Sequence, residues 1–182
     1  MLQESPAKPV RNRIFSVRVS PTNRLQALVR FGPVTLRAAL GRGGVTALKR
    51  EGDGGTPRGT MAVLAGFRRG GMLTPDNAGL TLHRTGRRDG WCDAPGHAAY
   101  NRHVRLPFPA SHETLLRDDV LYDFGFVLDW NIRSRRRGMG SAIFLHVARP
   151  GFPPTQGCIA LDRRDMLRLM PFIRRGTILR VE

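Results

Sequence analysis

The 182-residue chain has few cysteines, few lysines and few aromatic residues. Its two cysteines cannot build a disulfide framework, so apolar burial must hold the fold together. Aromatic residues make up 7% of the chain, which disfavours nucleic-acid binding, because base stacking needs aromatics interleaved with positive charge. No uncharged apolar run approaches about eighteen residues, so no membrane span is predicted.

Arginine is the abundant charged residue. The chain has 30 basic against 14 acidic residues, a net charge of +16, and Lys8 and Lys49 are its lysines. This balance is compatible with a basic binder of anionic polymers. The arginines are scattered along the chain rather than gathered in one segment, which equally favours a solvated basic surface.

Short apolar segments separated by turns predict a mainly β fold with a few short helices. We expect residues 1–13 to be a flexible N-terminal segment without the apolar core of an export signal, and 14–182 to form a single domain. Residues 87–111 predict a long ordered loop with one helical turn. The strand candidates are 14–19, 25–31, 34–40, 61–67, 80–84, 121–129, 142–147 and 177–181, with 142–147 central in its sheet.

A helix is predicted from Asp162 to Ile173, where the apolar period becomes helical. Asp162 can cap its start, and Arg174, Arg175 and Gly176 supply a cationic end and a stop. We expect Pro171 to distort the last turn.

The chemistry centres on His146, at the end of an apolar strand, and Cys158, which follows a short loop. A thiol within reach of an imidazole is a nucleophile and base arrangement. The imidazole and the nearby helix start would favour thiolate over thiol. Gly157 would let the backbone approach a substrate closely, and the amides around 156–158 would meet the oxyanion.

Other interpretations of the same residues remain open. Cys158 could be an inert core thiol, and His146 a hydrogen-bonded structural residue. A metal site from His146, Cys158, Cys92 and nearby histidines lacks the close ligand spacing typical of zinc. A disulfide between Cys92 and Cys158 is conceivable in an oxidising compartment and would inactivate the nucleophile.

Two segments resemble the signature of the L,D-transpeptidase catalytic family of the YkuD type. One is His146 followed by a loop and T-Q-G-C-I-A-L-D at 155–162, and the other is K-R-E-G-D-G-G-T-P-R-G-T at 49–60. A weaker similarity lies in W-C-D at 91–93 and Y-N-R at 100–102. Together the resemblance extends over residues 14–182.

This resemblance implies a β-sandwich of mixed sheets with a catalytic cysteine in a cleft. Cys158 would be the nucleophile, His146 the base and the backbone carbonyl of Val147 the third member, with Gly157 beside the sulfur. Family members attack the amide after the L-centre of diaminopimelate in a peptidoglycan stem, release D-alanine and pass the acyl group to an amine or to water. The implied partners are donor and acceptor stem peptides, with carbapenems as covalent inhibitors and no metal or organic cofactor.

The chain departs from the family pattern at Gln156, where a histidine is usual, and at Ala160, where an arginine is common. Because these positions line the acyl-donor subsite, the cross-link could be of the 3,3 or the 1,3 type. The substrate-binding candidates are Gln156 in the donor subsite, Arg58 and Arg102 for stem carboxylates, Asp93 for an acceptor ammonium, and Tyr100 and Asn101 as hydrogen-bonding groups. A solvated arginine or a loop-ordering role is the alternative at these positions.

The leading hypothesis is therefore a peptidoglycan L,D-transpeptidase with a role in cell-wall organisation and cell shape. The alternatives are an L,D-carboxypeptidase that trims stem tetrapeptides with the same site, and a non-catalytic binder of anionic polymers. A transpeptidase would work in the periplasm or cell wall if an export signal has been removed, and a carboxypeptidase could work in the cytoplasm.

Overall fold

This computed structural model describes residues 14–71 and 80–182. They contain fourteen strands, one α-helix and one 3-10 turn, joined by turns and loops. The predicted flexible segment 1–13 lies outside these ranges. In chain order the elements are β1 (Ile14–Ser20), β2 (Asn23–Phe31), β3 (Val34–Ala39), β4 (Val45–Thr46), β5 (Thr56–Pro57), β6 (Gly59–Arg69), β7 (Leu82–Thr85), β8 (Asp89–Cys92), β9 (Arg102–Arg105), β10 (His112–Thr114), β11 (Phe124–Leu128), β12 (Phe144–Val147), β13 (Ile159–Leu161), α1 (Arg163–Leu169), the 3-10 turn (Met170–Phe172) and β14 (Ile178–Val181).

The largest sheet is mixed and closes on itself. Its order is β11-β12-β13-β3-β2-β1-β14-β6-β7, and β11 also pairs with β6, so eight strands form a ring with β7 attached to β6. The pairs β1–β14, β12–β13 and β6–β7 are parallel and the other pairs are antiparallel. Closure pairs the strand edges that would otherwise be open to other chains. The predicted mainly β fold with mixed sheets is confirmed.

The main core fills the inside of this ring. Strand alternation explains which residues enter it: in β1, Phe15 and Val17 are buried while Arg18 is exposed. Phe124 and Phe126 of β11 join the same cluster, as does Met166 from α1. Strand β12 has neighbours on both sides, so its predicted central position is confirmed.

A small sheet of β10, β8 and β9 involves the segment predicted as a loop. That prediction is wrong at 89–92 and 102–105, which form β8 and β9, whereas 87–88, 93–101 and 106–111 are turns and irregular backbone in which no helix forms. Strand β8 carries Asp89, Gly90, Trp91 and Cys92, all buried. Because all four residues are buried and their polarity is mixed, the segment lacks the apolar–polar alternation that would predict a strand.

The C-terminal helix forms where its caps predict. Asp162 Oδ1 accepts from the Arg164 N–H at 2.8 Å, which caps α1. The α-helix ends at Leu169, and Pro171 lies in the following 3-10 turn, so the expected distortion is confirmed. Within the described ranges, no helix has the length and apolar character needed to cross a membrane.

Candidate active site

Strand alternation brings His146 and Cys158 to one face of the closed sheet. Leu145 and Val147, which flank His146 in β12, pack in the main core, so the His146 side chain projects from the opposite face. Ile159, directly after Cys158, also packs in the core and lies opposite Leu145 in the parallel pair β12–β13. The histidine in β12 and the cysteine directly before β13 therefore face the same way.

A cavity of about 330 Å³ opens on this face. Cys158 and His146 are 6% and 4% exposed, and both contribute to its walls. A substrate in this cavity would meet the thiol and the imidazole together. The full lining is Glu113, Arg117, Leu121, Tyr122, His146, Arg149, Pro153, Pro154, Thr155, Gln156, Cys158 and Ala160.

The loop that carries the cysteine is closed by Thr155. Its hydroxyl donates to the Cys158 carbonyl at 2.7 Å and accepts from the Gly157 N–H at 3.1 Å. The thiol donates to the Ala142 carbonyl at 3.2 Å, and the sulfur accepts from the Phe144 N–H at 3.3 Å. These backbone contacts fix the position of the sulfur.

The His146 ring is oriented by the backbone of the next residue. Its Nδ1 lies 2.8 Å from the Val147 carbonyl oxygen. A carbonyl only accepts, so Nδ1 must carry the proton, which leaves Nε2 of the neutral ring as a proton acceptor. The Tyr122 ring packs edge-on against the imidazole, with centroids 5.3 Å apart.

Both groups are neutral in this site. Burial raises the pKa of the Cys158 thiol to about 12 and lowers the pKa of His146 to about 4. The expectation of a thiolate is therefore wrong, because burial favours the neutral thiol. The seven-residue helix α1 begins beyond the strand and is already capped by Asp162, so it does not offset the burial.

The two sequence motifs meet beside the sulfur. A Cβ at Gly41 would lie 2.0 Å from the Gly54 carbonyl oxygen and 2.9 Å from Gly157 Cα, so no larger residue fits between the loops. The backbone of 41–43 bridges them, since the Arg42 N–H donates to the Thr155 carbonyl at 2.9 Å and the Gly43 N–H donates to the Gly54 carbonyl at 3.0 Å. Contact between the loops explains why both motifs occur in one chain.

Asp53 shapes the first of these loops. Its carboxylate accepts from Lys49 Nζ at 2.5 Å and from the N–H groups of Arg50 and Gly55, each at 2.7 Å. Gly157 has a φ of +130°, and a Cβ there would lie 2.9 Å from the Gly55 carbonyl oxygen. Gly157 thus lies close against the K-R-E-G-D-G-G loop, and its predicted approach to a substrate stays a prediction.

Comparison with known proteins agrees with this geometry. A family model described as the L,D-transpeptidase catalytic domain, YkuD, matches residues 15–182. The chain belongs to the L,D-transpeptidase family. A search of curated proteins finds no match.

Two solved structures are similar to this L,D-transpeptidase domain at low identity. The structure of Bdellovibrio bacteriovorus Bd1075 has 16% identity and a TM-score of 0.44, over 94% of this chain and 48% of that chain. The L,D-transpeptidase from Mycobacterium smegmatis has 13% identity and a TM-score of 0.42, over 93% of this chain and 58% of that chain. The chain thus spans about half the length of these structures.

Of the predicted substrate-binding residues, Gln156 is the one that lines the cavity of this L,D-transpeptidase domain. Arg58 lies between β5 and β6 and Arg102 in β9, and both are exposed away from the cavity lining. Asp93 is also outside the lining; one of its oxygens is buried without a hydrogen-bond partner, and its charge contributes to raising the pKa of Glu113. Sequence order alone could not place these loops.

Tyr100 and Asn101 are committed to contacts within the protein. The Tyr100 hydroxyl donates to the Glu51 carboxylate, and the tyrosine is 2% exposed. Asn101 Oδ1 accepts from the Trp91 indole at 3.0 Å and from the Ala142 N–H at 3.1 Å. The Ala142 carbonyl accepts a hydrogen bond from the Cys158 thiol. Asn101 therefore supports the sulfur indirectly, by holding the backbone of Ala142.

The charged residues around the cavity were missed by the sequence analysis. Arg117 and Arg149 line it and give it two guanidinium groups. Glu113 is the acid among the lining residues. Glu113 comes from β10 and Arg117 from the loop after it, both outside the two motifs, while Arg149 lies in the loop between His146 and Cys158 without a pattern that marks it.

Both cysteines are free and buried, so the conceivable disulfide between Cys92 and Cys158 is not formed. The metal site considered for His146, Cys158 and Cys92 does not match the group of possible metal ligands found among the described residues. Among the described residues, the metal-type cluster is His83, Asp89 and His103, whose ligand atoms lie within 4.8 Å of one another. Asp89 there already accepts from the Arg105 guanidinium at 3.1 Å and from the Gly86 N–H at 2.7 Å.

Proposed function

We propose that the protein is a peptidoglycan L,D-transpeptidase that works through a Cys158 acyl-enzyme, forming 3,3 or 1,3 cross-links. Membership of the family supports the reaction class. The observation that carries the assignment is the cavity that is lined both by Cys158 and by His146, whose Nδ1 is held by the Val147 carbonyl.

The resting pair is a thiol and a neutral imidazole. Because Nδ1–H donates to Val147, Nε2 is free to act as the general base. The low pKa of His146, about 4, keeps that base unprotonated at neutral pH. The thiol therefore loses its proton during the attack on the substrate rather than before it.

In the acylation step, the Cys158 sulfur attacks the carbonyl carbon of the scissile amide while its proton passes to His146 Nε2. The carbonyl electron pair moves to oxygen, and backbone amides around 156–158 would stabilise this oxyanion. Collapse of the intermediate breaks the carbon–nitrogen bond. The departing amine of D-alanine takes the proton from Nε2, and a thioester remains on Cys158.

In the second step, an acceptor amine attacks the thioester carbon and gives its proton to His146 Nε2. Collapse breaks the carbon–sulfur bond, and the sulfur of Cys158 takes the proton back. The product is a new amide, which is the cross-link between two stems. Water in place of the amine would give a free carboxylate, which is the carboxypeptidase reaction.

Incubation with disaccharide tetrapeptide, followed by mass spectrometry, tests the proposal. We expect cross-linked dimers with the unaltered protein and with Cys92→Ala, and no turnover with Cys158→Ala. A carbapenem should add its mass to the protein only when Cys158 is present. Tripeptide without dimers would assign the carboxypeptidase instead, and salt-sensitive polymer binding without turnover would assign the non-catalytic binder. The peptidoglycan substrate would place the protein in the periplasm or cell wall.

A further inference from the structure

Glu113 puts a carboxylate into the wall of the catalytic cavity. It lies in β10, opposite Trp91 of β8, and lines the same cavity as Cys158 and His146. Among the described residues no lysine, arginine or histidine lies within ion-pair distance of it. Its carboxylate is thus not in direct contact with a cation, and the charge of Arg117 acts on it only from a distance.

Tyr122 holds this carboxylate in place. The Tyr122 hydroxyl donates to Glu113 Oε2 at 2.6 Å, while the same ring packs edge-on against His146. Burial raises the pKa of Glu113; the Tyr122 hydrogen bond and the charge of Arg117 lower it, the negative charges of Asp93 and Glu51 raise it, and the result is a raised pKa. A cation bound in the cavity would relieve both costs, because a desolvated carboxylate gains most from an opposite charge at contact.

The cavity also has a cationic wall. Arg117 Nε lies 2.9 Å and Arg149 Nη2 3.1 Å from the Asp119 carboxylate, so a single acid holds two guanidinium groups. One positive charge is left over after this pairing. The guanidinium of Arg117 lies 5.4 Å from the centre of the Tyr122 ring, which joins the cationic wall to the residue that holds Glu113.

We infer that Glu113 and the Arg117–Arg149 pair form a subsite for a zwitterionic amino-acid centre, with the ammonium at Glu113 and the carboxylate at the arginines. The inference rests on the proposed function, because a diamino acid in a peptidoglycan stem carries such a centre on its free branch. In this subsite Glu113, rather than Asp93, would bind the ammonium and so determine which stem peptides are bound.

Binding to the Cys158→Ala protein tests this subsite without turnover. The probes are two synthetic stem tetrapeptides that differ only at the side-chain amine of the diamino acid, which is free in one and acetylated in the other. Calorimetry should show that the free amine binds about 10- to 100-fold more tightly, since an ion-assisted hydrogen bond is lost on acetylation. Glu113→Gln in this background should reduce the difference to less than about threefold.

Glu182→Gln is the matched control, because Glu182 pairs with Arg18 at the surface, away from the cavity lining. It should keep the full preference for the free amine. Tyr122→Phe leaves the Glu113 charge and should also keep a preference. Equal binding of the two probes by the Cys158→Ala protein would overturn the inference even if Glu113→Gln failed to fold.

The outcomes separate this inference from the proposed function. If Glu113→Gln retains the preference for the free amine, the subsite is wrong whatever the protein catalyses. If neither probe binds while a carbapenem still acylates Cys158 of the unaltered protein, the subsite fails and the nucleophile stands. If the preference is present but no turnover is seen with Cys158, the catalytic proposal fails and the subsite stands.

Discussion

The reactivity of Cys158 towards iodoacetamide should rise steeply with pH. Only the thiolate reacts, and a pKa of about 12 in place of the ordinary 9.0 lowers the thiolate fraction near pH 7.5 by about 1,000-fold. A more basic thiolate is intrinsically a better nucleophile, which recovers about 20-fold. We therefore expect alkylation about 50-fold slower than for a small free thiol, and a rate that increases about 100-fold from pH 7 to pH 9.

The assay is the rate of adduct formation by intact mass in a Cys92→Ala background, so that only Cys158 can react. His146→Gln should change the rate by less than about threefold at any pH in this range, because the imidazole is neutral there. A small free thiol measured in the same buffers corrects for the reagent.

A flat rate between pH 7 and pH 9 would refute this reasoning. A thiolate held by an imidazolium would already be fully ionised and would change by less than about twofold. In that case His146→Gln would also slow alkylation strongly at pH 7. Either result would mean that the cavity stabilises charge, contrary to the burial of both groups.

Three further predictions concern the loop and the imidazole. Thr155→Val should lower the free energy of unfolding by about 1–3 kcal/mol, because two hydrogen bonds that close the cysteine loop are lost, while Thr155→Ser should keep them; equal urea midpoints for the two variants would contradict this. Gly157→Ala should lower the free energy of unfolding more than Gly151→Ala does. Both positions have a positive φ, but only at Gly157 would a Cβ lie 2.9 Å from the Gly55 carbonyl oxygen. Chemical denaturation measures the difference, and equal losses of unfolding free energy would exclude the clash. The pKa of His146 in the folded protein, about 4, is below the ordinary histidine value of 6.5, so on acidification the unfolded chain takes up this proton before the folded protein does. The contribution of His146 to the free energy of unfolding is complete above pH 6.5 and falls by about 3 kcal/mol as the pH drops to 4. His146→Gln should remove this part of the pH dependence. Curves of unfolding free energy against pH that superimpose for the two proteins would argue against it.

Much of the fold and the placement of His146 and Cys158 in one cavity could be predicted from the sequence because their signals are local. Alternation marks β1, and the cap at Asp162 marks the start of α1. His146 at the end of an apolar strand and Cys158 after a short loop were close enough in sequence for their meeting to be predicted.

The remaining features depend on contacts between distant segments. The ring closes through pairing of β6 with β11, more than fifty positions further along, which no periodicity encodes. Glu113 enters the cavity because β10 pairs with β8, and β8 itself lacked an alternating pattern. The raised pKa of Cys158 was missed for a related reason. The sequence shows His146, which was expected to favour the thiolate, but it does not show burial, which depends on the whole fold.

Trapping the covalent intermediate would test the central claim most directly. The protein is mixed with tetrapeptide stem in the absence of an acceptor, quenched in acid, digested and examined by mass spectrometry. We predict that the acyl group is found as a thioester on the peptide that contains Cys158, and that replacing His146 with glutamine lowers its rate of formation by at least about 100-fold. Release of D-alanine with no acyl group on Cys158, or at an unchanged rate after Cys158→Ala, would contradict the account.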